Sequence, residues 1–313
     1  MKLTTKKILI FGAGVIGSTF GGRMALQGHN VTFLARNKRL DDLMNSGLLL
    51  QRMGHKQLQN ITVKVIPELE ETDNYDYIFV CLRNEQVASA LPVLAKNRSG
   101  NIVFMVNNPA GYSDWTDALG SERVIPAFPG SGGKIEYGIV HYEIVSRIIQ
   151  PTTIGEISGA KTARILELRQ LLCEAGFPTS VAKNMDAWQK THVAMVGPIG
   201  DVIYLDGGDN YSVARNRSAI NQMNLALKEN FKFLKKSGIG IVPRKFNFII
   251  FTPLCFLNLI MRLAFNTCWA ETFISNHALN AKDEMSAISL QFLEMAKEKG
   301  FELKEFKKIV NLI

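Results

Sequence analysis

Three glycines near the start of the chain, Gly12, Gly14 and Gly17, stand at the G-x-G-x-x-G spacing. An apolar run, Ile8 to Phe11, precedes them, and apolar residues at helical spacing (Val15, Ile16, Phe20, Met24) follow as far as Gly28. A second apolar run, Val31 to Leu34, ends in Ala35-Arg36. Strand, glycine turn, helix and strand in one short unit are the context in which this motif binds a dinucleotide. Gly12 permits the tight turn, Gly14 lets backbone approach a pyrophosphate, and Gly17 lets the helix close on the strand. The helix start, with Val15 and Ile16, offers unpaired N–H groups and a positive dipole end to phosphates. A glycine turn in an ordinary strand–helix unit is the alternative, and the flanking strands argue against it.

The end of the second strand selects the nucleotide. NAD sites place an acidic residue there for the ribose 2′-OH. Here the segment reads Leu34-Ala35-Arg36-Asn37-Lys38-Arg39, with no carboxylate before Asp41. Arg36 instead suits a 2′-phosphate, which it can grip through charge-assisted hydrogen bonds. NADP(H) is therefore favoured over NAD(H), against the alternative of a solvated basic turn.

The elements that position these residues follow from length and pattern. A chain of 313 residues, 47% hydrophobic and 20% charged, can bury a large core and is expected to form two domains. Apolar runs at Asp76–Leu82, Asn101–Val106 and Val124–Ala127 read as strands alternating with helical patterns, which predicts a mostly parallel sheet with helices on both faces. Ligands then lie beyond the carboxyl ends of strands, at Gly12–Gly17, Leu82–Gln86 and Asn107–Gly111. The loop Phe128–Gly133 precedes strands expected at Ile135–Tyr142, Ile144–Ile149 and Thr152–Ile157. Single strands are also expected at Leu48–Leu50, Ile61–Ile66 and Phe177–Val181, and a helix at Thr162–Ala175. From Met185 onward only helical patterns remain, at 186–196, 213–237, 246–266, 267–278, 282–299 and 303–312, with a loop at Asp201–Asn210. The expected division is 1–184, a dinucleotide-binding domain, and 185–313, a helical domain.

Composition narrows the partners. Cys81, Cys173, Cys255 and Cys268 are scattered, which argues against a disulfide framework and a zinc site and suits a reducing cytoplasm. The five histidines show no metal-ligand spacing. The net charge of +8 is dispersed, matches no nucleic-acid module, and can attract an anionic cofactor and substrate. The basic N-terminus runs straight into the first strand, so a cleaved signal is rejected. Phe246 to Phe265 is apolar enough to raise a membrane span, but Asn247, Pro253, Asn258 and Arg262 interrupt it. A buried helix pair broken at Pro253, or a homodimer interface, is the expectation, with no stable membrane insertion and peripheral membrane contact as the lesser alternative.

With these residues in view, the chain resembles the ketopantoate reductase (2-dehydropantoate 2-reductase) family. The resemblance rests on Gly12-Ala-Gly-Val-Ile-Gly-Ser-Thr-Phe-Gly-Gly with Arg36, on Asn107-Asn108-Pro109-Ala110-Gly111, on Trp188-Gln189-Lys190, and on Lys282-Asp283-Glu284 followed by a helix to Lys299-Gly300. It implies a Rossmann-type domain joined to an all-helical one, an active site in the cleft between them, and NADPH-dependent reduction of a 2-keto acid in pantothenate biosynthesis. By motif position it assigns Lys190 as general acid, Glu284 as a substrate-binding carboxylate and Asn108 as a cofactor or substrate contact. Arg83 stands where the family usually carries a lysine. The asparagines that family members carry on the helix after the lysine are missing from Thr191–Pro198, and Ser275-Asn276-His277 is a loose stand-in for a serine motif.

The implied chemistry needs a proton for the developing alkoxide, which a desolvated lysine can supply while its charge stabilises the oxyanion. Each residue has an ordinary alternative: Lys190 a surface lysine, Glu284 or Asp283 a helix-dipole partner, Asn108 a turn stabiliser, His192 a structural histidine. Three activities stay open: reduction of a small 2-keto acid, most simply ketopantoate; an NADP-dependent dehydrogenase of another hydroxy acid or opine-like substrate; and a non-catalytic NADP(H)-binding sensor.

Overall fold

The computed structural model describes residues 3–271 and 282–312. Its contacts divide the chain into two compact units, one of residues 1–106 and 112–185, the other of 107–111 and 186–313. The first is built on an eight-stranded sheet ordered β12-β11-β8-β7-β6-β1-β2-β5. These strands are β1 Lys7–Phe11, β2 Asn30–Leu34, β5 Lys64–Ile66, β6 Tyr77–Val80, β7 Ile102–Met105, β8 Val124–Phe128, β11 Thr152–Ile154 and β12 Thr179–Val181. All pairs are parallel except β8 with β11. Such strands are covered on both faces, and β6 and β7 are buried along their whole length. Helices α1 Val15–Leu26, α2 Asn37–Ser46, α3 Asn84–Lys96, α4 Ser113–Leu119 and α5 Ala163–Glu174 connect them. The strand order reverses at β1, which lies between β2 and β6. The carboxyl ends of β1 and β6 therefore flank the switch point where doubly wound sheets take ligands.

A small second sheet, β4-β3-β10-β9, packs in the same unit, with β3 Leu48–Arg52, β4 Leu58–Ile61, β9 Ser131–Glu136 and β10 Ile139–Ile144. It corrects three expectations. The run 61–66 is not one strand: Ile61 ends β4, and Lys64 begins β5 in the large sheet. The expected strand 135–142 is a hairpin turning at Tyr137-Gly138, both at positive φ (50° and 82°), and its first strand already begins inside the expected 128–133 loop. The chain after Ile144 folds into a turn, with Ile149 N–H donating to Ser146 O.

The second unit is helical among its described residues. It contains α6 Met185–Leu205, α7 Asn210–Arg215, α8 Arg217–Lys236, α9 Phe248–Phe251, α10 Leu254–Phe265, α11 Cys268–Ala270, α12 Lys282–Glu298 and α13 Lys304–Val310. Helix α8 buries Ile220, Met223, Leu227, Phe231 and Leu234 at its core. The expected helix 213–237 is broken at Asn216, whose side chain caps α8 by accepting from Ala219 N–H. The expected end near Val196 and loop from Asp201 are also corrected, because α6 continues through Pro198. Proline cannot donate to the carbonyl four residues back. Here that carbonyl, Ala194 O, accepts instead from the buried Asn230 amide at 3.2 Å, so the break is repaired. The apolar stretch 246–266 is a helix pair parted at Pro253, but the expected burial is corrected: Ile249, Leu257 and Phe265 are buried, while Phe248, Phe251, Phe256, Leu259, Ile260 and Leu263 are exposed. No helix among the described residues is long and apolar enough to cross a membrane.

Candidate functional site

The β1–α1 turn is fixed by close approach. Gly12 has φ of +109°, and a Cβ there would lie 2.6 Å from Cys81 O at the end of β6. A Cβ on Gly17 would lie 1.9 Å from Gly12 O. Both glycines are required by the protein's own atoms. Gly14 differs: it is exposed, its φ is an ordinary −72°, and a Cβ would meet nothing within 4 Å. It is the N-cap of α1, with no side-chain cap and no acidic residue in the first turn, which starts with Val15 and Ile16. An uncapped helix start facing open space, with backbone bare of side chain, is a cradle for an anionic group.

Three of this unit's arginines, Arg36, Arg83 and Arg39, have different surroundings. Arg36 is exposed at the N-cap of α2, directly after β2. Arg83 is exposed at the N-cap of α3, directly after β6, with its N–H donating to Gln86 Oε1 at 3.2 Å. Arg39 turns inward. Its Nε donates to Ala13 O at 3.0 Å, its Nη2 to Ser18 Oγ at 3.0 Å, and its Nη1 to Gly138 O at 3.4 Å. Burial pulls its pKa below the usual range, with Asp42 opposing. Ser18 Oγ also donates to Ala13 O, at 3.0 Å. In a planar trans peptide the carbonyl and the next N–H point opposite ways. Holding Ala13 O inward therefore turns the Gly14 N–H outward.

In the second unit, Lys190 lies on α6 one turn after Asp186, and its Nζ donates to both carboxylate oxygens at 2.5 and 2.6 Å. The lysine side chain is 12% exposed. Trp188 stacks on His192, one turn apart, with ring centroids 5.3 Å apart and planes 8° off parallel. Asn108 is buried, and its side chain serves its own turn: Nδ2 donates to Gly111 O, and Oδ1 accepts from Ala110 N–H at 3.0 Å. The neighbouring Asn107 reaches further, donating from Nδ2 to Glu284 Oε1 at 3.0 Å, while its buried Oδ1 has no partner. Glu284 stands in the first turn of α12. The structure thus brings Glu284 to Asn107 and Lys190 to Asp186. Ser275-Asn276-His277 and most of the expected helix 267–278 lie outside the described residues, as does the side chain of Asp283. No cluster of His, Cys, Asp or Glu among the described residues could hold a metal ion.

Arg39, Asn107 and Asp186 carry no assigned role when read from the sequence alone. The i,i+4 spacing of Asp186 and Lys190, with the acid on the N-terminal side, was a usable signal. Nothing in the spacing of Arg39 or Asn107 announced a partner 26 or 177 residues away.

Comparison with known proteins follows the same lines. Residues 8–159 match the family model described as ketopantoate reductase PanE/ApbA. The 2-dehydropantoate 2-reductase of Pyrococcus horikoshii is 25% identical over 237 residues, covering 74% of this chain and 75% of that one. A PanE/ApbA family ketopantoate reductase from Ralstonia eutropha superposes with a TM-score of 0.78 at 16% identity, over 98% of this chain and 96% of the other. A D-mandelate dehydrogenase solved with NADH and anilino(oxo)acetate superposes equally well, with a TM-score of 0.78 at 14% identity and the same coverages. At these identities the solved structures speak for the fold.

Proposed function

We propose that this chain, a divergent member of the ketopantoate reductase family and an oxidoreductase acting on CH–OH groups, binds NADPH and reduces a small 2-keto acid, most simply 2-dehydropantoate to pantoate. The observation that carries the reading is the β1–α1 turn, whose middle glycine faces open space before an uncapped helix start. The donor set there fits a diphosphate: the outward Gly14 N–H, the uncapped N–H groups of the helix start, and no acidic residue in the first turn. Arg36 is the 2′-phosphate ligand, and Arg83 adds a cation at the end of β6. Arg39 acts through the turn, holding Ala13 O so that the Gly14 N–H is presented.

When bound, the reduced nicotinamide supplies the hydride. Lys190 supplies the rest of the electrophilic work. Its ammonium hydrogen-bonds the keto oxygen, stabilises the charge that develops there, and then delivers the proton. Asp186 restrains that ammonium through two hydrogen bonds, which limits where the proton can go. Glu284 accepts from a hydroxyl of the acid through its second oxygen, with Oε1 held by Asn107. Asn108 keeps the 107–111 turn in shape, so that Asn107 is aimed rather than free.

A second reading is reduction of a different 2-keto acid. It is favoured by the segment Thr191–Pro198, which lacks the asparagines expected for ketopantoate, and by the likeness in fold to D-mandelate dehydrogenase. A panel of 2-keto acids assayed with NADPH and with NADH tests both, by following loss of reduced-nicotinamide absorbance. Turnover of ketopantoate with NADPH supports the first reading. Turnover confined to another acid supports the second. NADPH binding with no turnover of any acid sinks both and leaves a coenzyme sensor.

A further inference from the structure

Helix α10 is apolar on both sides: Leu257 and Phe265 are buried in the core of its unit, and Met261 packs against that core. Its two polar residues face the body of its unit: Asn258 bonds Asn221 and Asn224 at 2.9 and 2.8 Å, and Arg262 Nε donates to Ala214 O at 3.1 Å. Its outward positions are apolar. Phe256, Leu259, Ile260 and Leu263 lie on one face at i, i+3, i+4 and i+7, and Phe248 and Phe251 of the preceding α9 are exposed as well. Phe251 is 68% exposed, Leu263 63% and Phe256 60%. Surface helices of globular proteins carry polar residues on the outward side, which α10 lacks. Six large exposed apolar side chains on two successive helices, four of them on one face of α10, mark a place where water is to be replaced.

Charge says by what. From Asn230 to Ala270 the sequence contains no aspartate or glutamate, while Lys232, Lys235, Lys236, Arg244, Lys245 and Arg262 supply only positive charge. The cations border the strip. Lys235 Nζ lies 5.1 Å above the exposed Phe251 ring. Arg244 and Lys245 are exposed in the turn that leads into α9. Lys228 Nζ holds Ile249, Ile250 and Thr252 carbonyls at the end of α9, so the helix presenting Phe248 and Phe251 is fixed by another cation. A symmetric pairing of two copies would set this border against itself, with no acid in the segment to answer it. An apolar strip bordered by Lys and Arg is the pattern that lies in the interface of an anionic bilayer.

We propose that the α9–α10 face docks peripherally on an anionic lipid surface, with Phe251, Phe256, Leu259 and Leu263 entering the headgroup–acyl boundary and Lys235, Arg244 and Lys245 meeting the headgroups. The binding is reversible and salt-sensitive, because it combines a short apolar strip with a few charges.

The test is co-sedimentation of the full chain with phosphatidylcholine vesicles, with and without phosphatidylglycerol, in low and high salt. Light scattering of the lipid-free protein runs alongside. The expected result is binding to the phosphatidylglycerol vesicles alone, weakened by salt. Leu259→Glu, an exposed position where the fold is retained, abolishes it. Neutralising each of Arg244 and Lys245 with Gln weakens it by about fivefold per charge. Thermal melting confirms that each variant is folded. Absence of binding to the anionic vesicles overturns the proposal, as does binding that survives both sets of variants. A lipid-free dimer dissolved by Leu259→Glu, with no vesicle binding, also overturns it and assigns the face to a second copy of the chain.

Discussion

The β1–α1 turn and the side-chain pairs Asn107–Glu284 and Lys190–Asp186 differ in what their parts are made of. The turn is backbone: three glycines, a helix start and one strand end, all within a single short run. The second set is side chains in two pairs, Asn107 with Glu284 through one hydrogen bond and Lys190 with Asp186 through one ion pair. A backbone site depends on which residues are absent, since a Cβ at Gly12 or Gly17 would strike a carbonyl oxygen. A side-chain site depends on long-range placement. The two should therefore fail differently.

The largest expected failure is in the side-chain group. Lys190→Ala is expected to lower kcat by about 10²- to 10⁴-fold, the usual loss of a general acid, with NADPH affinity measured by titration unchanged. Asn107→Ala removes a hydrogen bond to a carboxylate, worth about 1.5–3 kcal/mol, and should raise the keto-acid KM by about tenfold or more with kcat less affected. Turnover that survives Lys190→Ala would sink the proposed mechanism even if the activity stands.

The same distinction decides what could be read from the sequence. The strand–turn–helix–strand unit was legible because glycine spacing and apolar runs are local properties. So was the parallel α/β class, from strands alternating with helices. The parting of the 246–266 stretch at Pro253 was legible as a local break. Pro198 was not, because the group that repairs the break, Asn230, comes from another helix. The split of 61–66 between two sheets was hidden because apolar residues do not say which sheet they join. Arg39 read only as part of a basic turn, and only the folded chain sets its guanidinium against Ala13 and Ser18. The pairing of Asn107 with Glu284 had no trace in spacing at all.

Within the turn, the glycines can be set against one another. Gly17→Ala forces a methyl into Gly12 O and should destabilise the fold by about 3 kcal/mol, seen as a melting temperature lowered by roughly 5–10 °C without coenzyme. Gly14→Ala meets no protein atom, so the melting temperature of the free protein should hold while NADPH affinity drops by about tenfold or more. A Gly14→Ala variant that binds NADPH normally would show that the open face is not where the diphosphate lies.

Buried carboxylates extend the contrast to stability. In the first unit burial pushes Glu156 upward, but hydrogen bonds from Arg164 and Thr162 outweigh it and leave the group below its ordinary pKa. In the second unit Asp201 on α6 has only the Ser289 hydroxyl, at 3.0 Å on Oδ2, while its buried Oδ1 has no partner. Burial, opposed by that bond, lifts its pKa from an ordinary 3.8 to about 7. Between those values the folded protein keeps a proton that the unfolded chain has released, so stability falls as pH rises through the window. Asp201→Asn is neutral at every pH and can still accept from Ser289. It should leave stability at about pH 4 unchanged and raise it above pH 7, by up to about 4 kcal/mol. Melting curves across pH measure this. A wild-type profile parallel to that of the variant would show that Asp201 does not titrate in the window.

The smallest expected effect separates two arginines three residues apart. Arg36 is exposed at the end of β2, and its proposed partner is a 2′-phosphate, which only NADPH carries. Arg36→Ala should weaken NADPH by about tenfold, the lower end for a charge-assisted bond, and leave NADH unchanged. Arg39 touches Ala13 O and Ser18 Oγ, so its effect passes through the diphosphate turn that both coenzymes share. Arg39→Gln can still donate one hydrogen bond but carries no charge. It should weaken NADPH and NADH by the same few-fold factor, reading out the field and the carbonyl's orientation together. Titrating both coenzymes against both variants gives four affinities. Equal losses for Arg36→Ala would remove the argument for NADP preference while leaving the diphosphate site intact. A loss confined to NADPH for Arg39→Gln would place the 2′-phosphate beside Arg39 and make that arginine, rather than Arg36, the residue that tells the two coenzymes apart.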